Sequence, residues 1–112
     1  MYEYKCKVVK VVDGDTLDIV VDLGFEIRLT ERVRLINVNT PEIFGPKATE
    51  EGKIASLFVT EWYSSRVGGH FVYSSVKYNS RDKYGRSLGY IIHVGDDGKV
   101  DSLNDALVLK GW

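Results

Sequence analysis

Three β-type segments fill the first third of this chain. They are parted by two glycine-bearing turns and closed by a proline, and that succession limits the fold more than any other feature. Residues 5–12 are rich in valine, Asp13-Gly14 is a turn signal, and residues 16–21 resume with apolar side chains at Leu17, Ile19 and Val21. A period of two places those three on one face of a strand, so the pair reads as a hairpin. Leu23-Gly24 breaks the chain again. Residues 25–38 then carry a long β-like segment with Thr30-Glu31 as its weak point, and Pro41 stops it because proline cannot donate to a ladder.

Beyond the proline the period changes. Between residues 49 and 65, Ile54, Leu57, Phe58, Glu61 and Trp62 fall three and four apart, which predicts a helix with one apolar face and Thr49 as its N-cap. Two further strands are expected over residues 70–78 and 86–94, joined by the polar loop 79–85 and followed by the turn Gly95-Asp96-Asp97-Gly98. Ser102 with Asp105 three residues on resembles the start of a capping box. Gly111 is a fitting stop for a short terminal helix bearing Ala106, Leu107 and Leu109. The chain therefore reads as α+β, mainly β, and is compatible with the five-stranded Greek-key barrel of the OB-fold, which commonly presents a face to oligonucleotides. The pattern alone also admits other small α+β folds. No repeat, low-complexity tract or linker divides residues 1–112, so a single domain is expected.

Composition and charge exclude several classes of function. With 44% hydrophobic and 28% charged residues the balance is that of an ordinary globular domain, and no apolar run approaches the length that spans a bilayer. A net charge of −1 does not suit a protein that coats nucleic acid through bulk electrostatics, so such binding requires a local basic site. Two candidates exist: Arg28, Arg32 and Arg34 have the even spacing of one strand face, and Arg81, Lys83 and Arg86 crowd one loop. Cys6 has no partner for a disulfide or a metal pair and is read as structural, as are His70 and His93, each alone in an expected strand. Zinc is accordingly not expected. The opening Met1-Tyr2-Glu3-Tyr4-Lys5 lacks the positive-then-apolar plan of a signal peptide, which leaves open whether the protein works inside the cell or begins after processing.

Three patches carry chemistry. They are Asp13-Gly14-Asp15-Thr16, the stretch from Arg34 through Asn39-Thr40-Pro41 to Glu42, and Asp82-Lys83-Tyr84-Gly85-Arg86. Together they supply two arginines that fork onto phosphate oxygens, several hard oxygen ligands suited to a divalent cation, and one glutamate left over as a base. Taken singly, each has an ordinary reading as a hairpin turn, a solvated loop acid or a polar surface loop. In this order, with extended segments between them, they resemble the staphylococcal (micrococcal, thermonuclease-like) nuclease family over about residues 7–111. That resemblance implies the OB-fold barrel and a calcium-dependent phosphodiesterase that hydrolyses DNA and/or RNA with little sequence preference. Oxygen ligands would also admit magnesium or manganese. The partner implied is nucleic acid, touched mainly along its backbone, by a monomer with no membrane association.

The same resemblance implies a role for each residue. Asp15 is the first metal-binding carboxylate, aimed by Asp13 and Gly14, and Thr40, biased to an extended conformation by the proline after it, offers its backbone carbonyl as a second ligand. Glu42 orients or deprotonates the attacking water. Arg34 and Arg86 hold the scissile phosphate and stabilise the five-coordinate transition state, a role that suits a planar fork charged at any working pH. Asp82, Lys83 and Tyr84 line a nucleotide pocket, with Lys83 reaching a terminal phosphate and Tyr84 packing near the sugar or base.

Departures from the family pattern matter as much as matches. Asn39 stands where the family usually has an aspartate ligand, so the metal site keeps an amide oxygen and loses a formal charge. At close range in an effective dielectric near 20, such a charge is worth ~4 kcal/mol per unit of partner charge before rearrangement reduces it. The loop over residues 43–51 is shorter than the family's lid-like loop. The sequence stops at Trp112, before the nucleotide-contacting tyrosines of the best-known members, and Tyr73, Tyr78 and Tyr90 are the candidates to compensate. Two readings stay open at this point: a nuclease, or a nuclease-fold module with weakened or lost turnover that binds nucleic acid or a protein partner.

Overall fold

A computed structural model describes residues 2–41, 49–75 and 85–112. The valine-rich opening forms β1 (Tyr2–Asp13), which turns at Gly14 into β2 (Thr16–Asp22) and then β3 (Arg28–Leu35). Helix α1 (Glu50–Ser65) follows, then β4 (His70–Ser75), β5 (Ser87–Val94), the short β6 (Val100–Ser102) and α2 (Leu103–Leu109).

Pairing closes the first five strands into a barrel. β1 lies antiparallel between β2 and β4, β2 pairs with β3, and β4 pairs with β5. The ring is completed by a parallel contact of β3 with β5, Val33 to Leu35 against Ser87 to Gly89. Closure removes the open edges that a five-stranded sheet would otherwise expose. The far half of β5 is then free to take β6, which pairs Ser102, Asp101 and Val100 with Ile92, His93 and Val94. Two irregularities in β1, between Val8 and Lys10 and between Val11 and Asp13, mark where this longest strand bends around the barrel.

The core follows from alternation. Leu17, Ile19 and Val21 of β2 point inward with Val33 and Leu35 of β3 and Ile91 of β5, and α1 and α2 add Val59, Trp62, Leu103 and Leu107. Complete burial of a side chain such as Leu17 or Ile91 contributes about 1.5–3 kcal/mol. A second, aromatic cluster sets Phe71 4.5 Å from Tyr63 and 4.8 Å from His93. His93 Nε2 donates to the Gly68 carbonyl at 2.9 Å, which accords with a structural reading of this histidine. The buried Cys6 thiol is pushed up to about 12 by desolvation, as befits an inert core thiol.

Several expectations are corrected. The third strand is shorter than residues 25–38, because Gly24, Phe25 and Glu26 all take positive φ and make the hairpin tip, while Asn37, also at positive φ, turns the chain away after Leu35. Thr30 and Glu31 do not interrupt it, since they stay in register with Val20 and Ile19. The buried face of α1 is Gly52, Ala55, Val59 and Trp62, whereas Ile54 and Leu57 are exposed. Phe58 and Trp62 of the expected face do pack on the core with Val59, and Gly52 and Ala55 take the place expected for Ile54 and Leu57, where the helix approaches the barrel closely. Strand β6 is an addition, three residues too polar to announce themselves. The caps are as expected, with Thr49 Oγ1 accepting from the Gly52 amide at 3.0 Å and Ser102 Oγ from the Asp105 amide at 3.3 Å.

Candidate active site

The β1–β2 turn, the end of β3 and the start of β5 meet at one point, and the register dictates which side chains share it. Thr16 lies opposite Arg34, and Arg34 lies beside Leu88 of β5. The turn is shaped by Asp13, whose Oδ1 accepts from the Asp15 amide at 3.1 Å. Asp15 is thereby aimed into the cleft beneath Thr40. Its Oδ2 accepts from the Thr40 amide at 3.3 Å and lies 3.5 Å from Arg34 Nη2, while its Oδ1 accepts from the Thr16 hydroxyl at 3.0 Å.

Both arginines converge on this carboxylate, one directly and one through a relay. Arg34 Nη1 also donates to the carbonyls of Leu35 (2.6 Å) and Val38 (2.5 Å), holding the bend that follows β3. Arg86 Nη1 donates to Thr16 Oγ1 at 3.1 Å, and that hydroxyl in turn donates its hydrogen bond to Asp15 Oδ1. A guanidinium has five N–H donors, so these bonds leave others of Arg34 to meet a ligand. Arg34 and Asp15 are nonetheless largely enclosed, with side chains 21% and 10% exposed.

The local electrostatics are those of crowded carboxylates. Asp13 is pushed up to about 6, chiefly by burial and then by the neighbouring Asp15 carboxylate. Thr40 is buried, and its Oγ1 has no hydrogen-bond partner among the described residues. Paired carboxylates, an orphaned hydroxyl and the carbonyls of an extended segment make an all-oxygen donor set, the chemistry of a hard cation. Among the described residues no three His, Cys, Asp or Glu side chains cluster as a metal site.

Of the residues named from sequence, Asp15, Thr40, Arg34 and Arg86 come together. Asn39 is exposed, its backbone N–H donating to the Trp112 carbonyl at 3.1 Å. Glu42, Asp82, Lys83 and Tyr84 lie outside the described residues, as do Tyr78 and most of the 43–51 and 79–85 loops. Tyr73 faces the core and donates to the Leu88 carbonyl at 3.0 Å, so it is not a compensating ligand contact. The Tyr90 hydroxyl accepts from Asn37 Nδ2 at 3.5 Å, near the bend after β3. Sequence reasoning missed Thr16 as the link between Arg86 and Asp15. Its signal was present, because Thr16 is on the opposite face of β2 from Leu17 and therefore on the face of Arg34.

Comparison with known proteins identifies the family. The profile of the family described as staphylococcal nuclease homologue matches residues 32–112, which takes in Arg34, Thr40 and Arg86 but begins after Asp15. The chain is 37% identical over 90 residues to a thermonuclease of Staphylococcus intermedius, covering 79% of this chain and 48% of that protein. It is 35% identical over 85 residues to an uncharacterized endonuclease of Escherichia coli O157:H7, covering 76% and 46% respectively. It is 28% identical over 116 residues to a micrococcal nuclease of Shigella flexneri, covering 97% and 56%. The chain thus spans about half the length of these curated relatives. A family profile running from β3 to the last residue, with relatives that share more than a third of the aligned residues, leads to one conclusion: the chain belongs to the staphylococcal nuclease homologue family.

Proposed function

We propose that this chain hydrolyses phosphodiester bonds of DNA and/or RNA, as a calcium-dependent nuclease with little sequence preference. The observation that carries the reading is the convergence of Arg34, in β3, and Arg86, just before β5, on the Asp15–Thr16 pair. An arginine pair beside a carboxylate suits a site where phosphate charge must be gripped and a cation accommodated. Family membership and relatives named nuclease support the same reading.

In this reading Asp15, the Thr40 carbonyl and the Asn39 amide oxygen would hold the divalent ion, and the same oxygen set admits magnesium or manganese in place of calcium. When bound, the ion supplies charge neutralisation at the phosphate. Glu42 takes the proton of the attacking water, the water's oxygen bonds to phosphorus as the in-line bond to the 5′ oxygen breaks, and the departing 5′ oxygen takes up a proton from solvent. Arg34 and Arg86 donate to the non-bridging oxygens as their charge grows toward the five-coordinate transition state. Asp82, Lys83 and Tyr84 contact the adjoining nucleotide, with Lys83 serving a terminal phosphate. Contacts directed at the backbone carry little base information, hence the low sequence preference.

Asn39 gives a second reading its footing. With one formal charge fewer among the ligands, the free protein binds cation weakly, and the substrate phosphate completes the site. A module that binds nucleic acid without turnover is the alternative. Single-stranded DNA incubated over a calcium series to several millimolar, with a chelator control and Glu42→Gln in parallel, separates the two. Cleavage that requires calcium and disappears in the variant establishes the nuclease. Retardation of the DNA without cleavage establishes the binding module, and restoration of turnover by Asn39→Asp would assign the loss to the missing charge. Micromolar calcium binding by the free wild-type protein refutes substrate-assisted loading.

A further inference from the structure

We propose that the outer face of β1–β2–β3 is a second anion site, a basic track that takes the polynucleotide segment flanking the bond being cut. This rests on the reading of the chain as a nucleic-acid enzyme and extends the substrate from one phosphodiester to a run of nucleotides.

The track follows from register. Side chains opposite one another in antiparallel strands share a face, so outward positions line up in rows leading away from the site. Asp13, Thr16 and Arg34 form the first row, Lys10, Asp18 and Arg32 the next, and Lys7, Val20 and Thr30 the third. Lys5 then flanks Asp22 and Arg28 at the far end. Every row has at least one cation, although the chain as a whole carries a net charge of −1. From Arg34 to Arg28 is six residues of strand, about 20 Å, room for roughly four nucleotides, the low end of what an OB barrel accommodates.

The middle of the track is tied up and the far end is not. Arg32 grips Asp18 with bonds of 2.8 and 3.1 Å. Asp22 spends Oδ1 on the Gly24 amide at 2.8 Å, holding the hairpin tip. Lys5, Lys7 and Arg28 have no ion pair among the described residues. These three cations line a recess of about 610 Å³ against the single carboxylate of Asp22, with Val20 on its wall. Such unpaired cations are suited to phosphates, whose binding releases counterions. Just past Arg28 the tip presents Phe25, 99% exposed, a free ring face of the kind on which bases stack.

The test is the Lys5→Ala, Lys7→Ala, Arg28→Ala triple variant, compared with wild type on oligodeoxythymidylates of three and sixteen nucleotides. Binding is measured by titration in chelator, with a salt series, and cleavage is read separately in calcium. The sixteen-mer is expected to bind about tenfold more weakly to the variant, and the three-mer is expected to bind unchanged. The slope of log affinity against log salt for the sixteen-mer should fall by about 2, three phosphate contacts at ~0.7 each. Equal loss for both lengths, or no loss for the sixteen-mer, overturns the track. So does wild-type affinity for polyglutamate equal to that for the sixteen-mer and equally lost in the variant, which would mark a docking face for acidic protein. Because binding is read without turnover, a wild type that fails to cleave in calcium refutes the nuclease and leaves this result standing.

Discussion

Gly14 and Thr40 touch so closely that neither can grow. A Cβ placed on Gly14 would lie 2.7 Å from Thr40 Oγ1 and 2.8 Å from the Cβ of Ala55. The hairpin turn that aims Asp15 is therefore pressed against both the segment bearing Thr40 and the inner face of α1. An Asp-Gly pair is an ordinary hairpin signal, and here the glycine also serves the close packing of three elements.

Gly14→Ala is expected to destabilise the protein by about 1–3 kcal/mol, as overpacking against a near-rigid neighbour does. It should also reduce any metal- or substrate-dependent signal, because Asp15 and Thr40 are pushed apart. Urea unfolding combined with calcium titration checks both, and a variant as stable as wild type contradicts the packing argument.

Arg34→Lys should cost at least about a hundredfold in kcat on DNA, the scale seen when one transition-state donor is lost. Lysine has one nitrogen and cannot at once hold the Leu35 and Val38 carbonyls and face Asp15. Steady-state kinetics beside a thermal melt distinguishes lost chemistry from a loosened bend. A variant with wild-type kcat would remove Arg34 from the reaction.

Asn104 is a buried structural staple. Its Oδ1 accepts from the Ile91 amide at 3.2 Å, and its Nδ2 donates to the carbonyls of Ile36 (2.9 Å) and Gly89 (3.2 Å). It thus ties α2 to β5 and to the bend after β3. Asn104→Ala removes the partner of the Ile91 amide and of the Ile36 carbonyl, while the Gly89 carbonyl keeps the Ile36 amide at 3.0 Å, and should cost about 2–4 kcal/mol in urea unfolding. Asn104→Leu, which fills the space without pairing them, should not recover the loss.

Cys6 makes stability fall on the alkaline side. Burial raises the folded thiol from 9.0 to about 12, so the folded state holds a proton that the unfolded state releases. Its contribution is complete below pH 9 and declines as pH rises through the interval from about 9 to 12, with a slope approaching ~1.4 kcal/mol per pH unit. Urea midpoints of wild type and Cys6→Ala over that range should converge as pH increases. The same burial predicts that thiol reagents modify Cys6 only on unfolding, a rate measurable by mass spectrometry.

Much of the fold was legible because its signals are local. Alternation at Leu17, Ile19 and Val21, the Asp13-Gly14 turn and the Thr49 and Ser102 caps each depend on residues within a few positions of one another, and all reappear in the structure. The residues of the candidate site were named through an order of motifs that resembles a family, and Asp15, Thr40, Arg34 and Arg86 do come together. What misled was also local: Ile54 and Leu57 lie at helical spacing yet face outward, since periodicity locates a face without saying what packs on it.

From sequence alone came the order of elements, the turn chemistry and the inventory of acids and arginines, all set by short-range backbone preference and side-chain type. Only tertiary structure decided that β3 runs parallel to β5 and closes the barrel, that α1 docks through Gly52 and Ala55, and that Thr16 joins Arg86 to Asp15. Those outcomes depend on contacts between segments up to 70 residues apart, where packing and hydrogen-bond satisfaction are resolved together and no local preference decides alone.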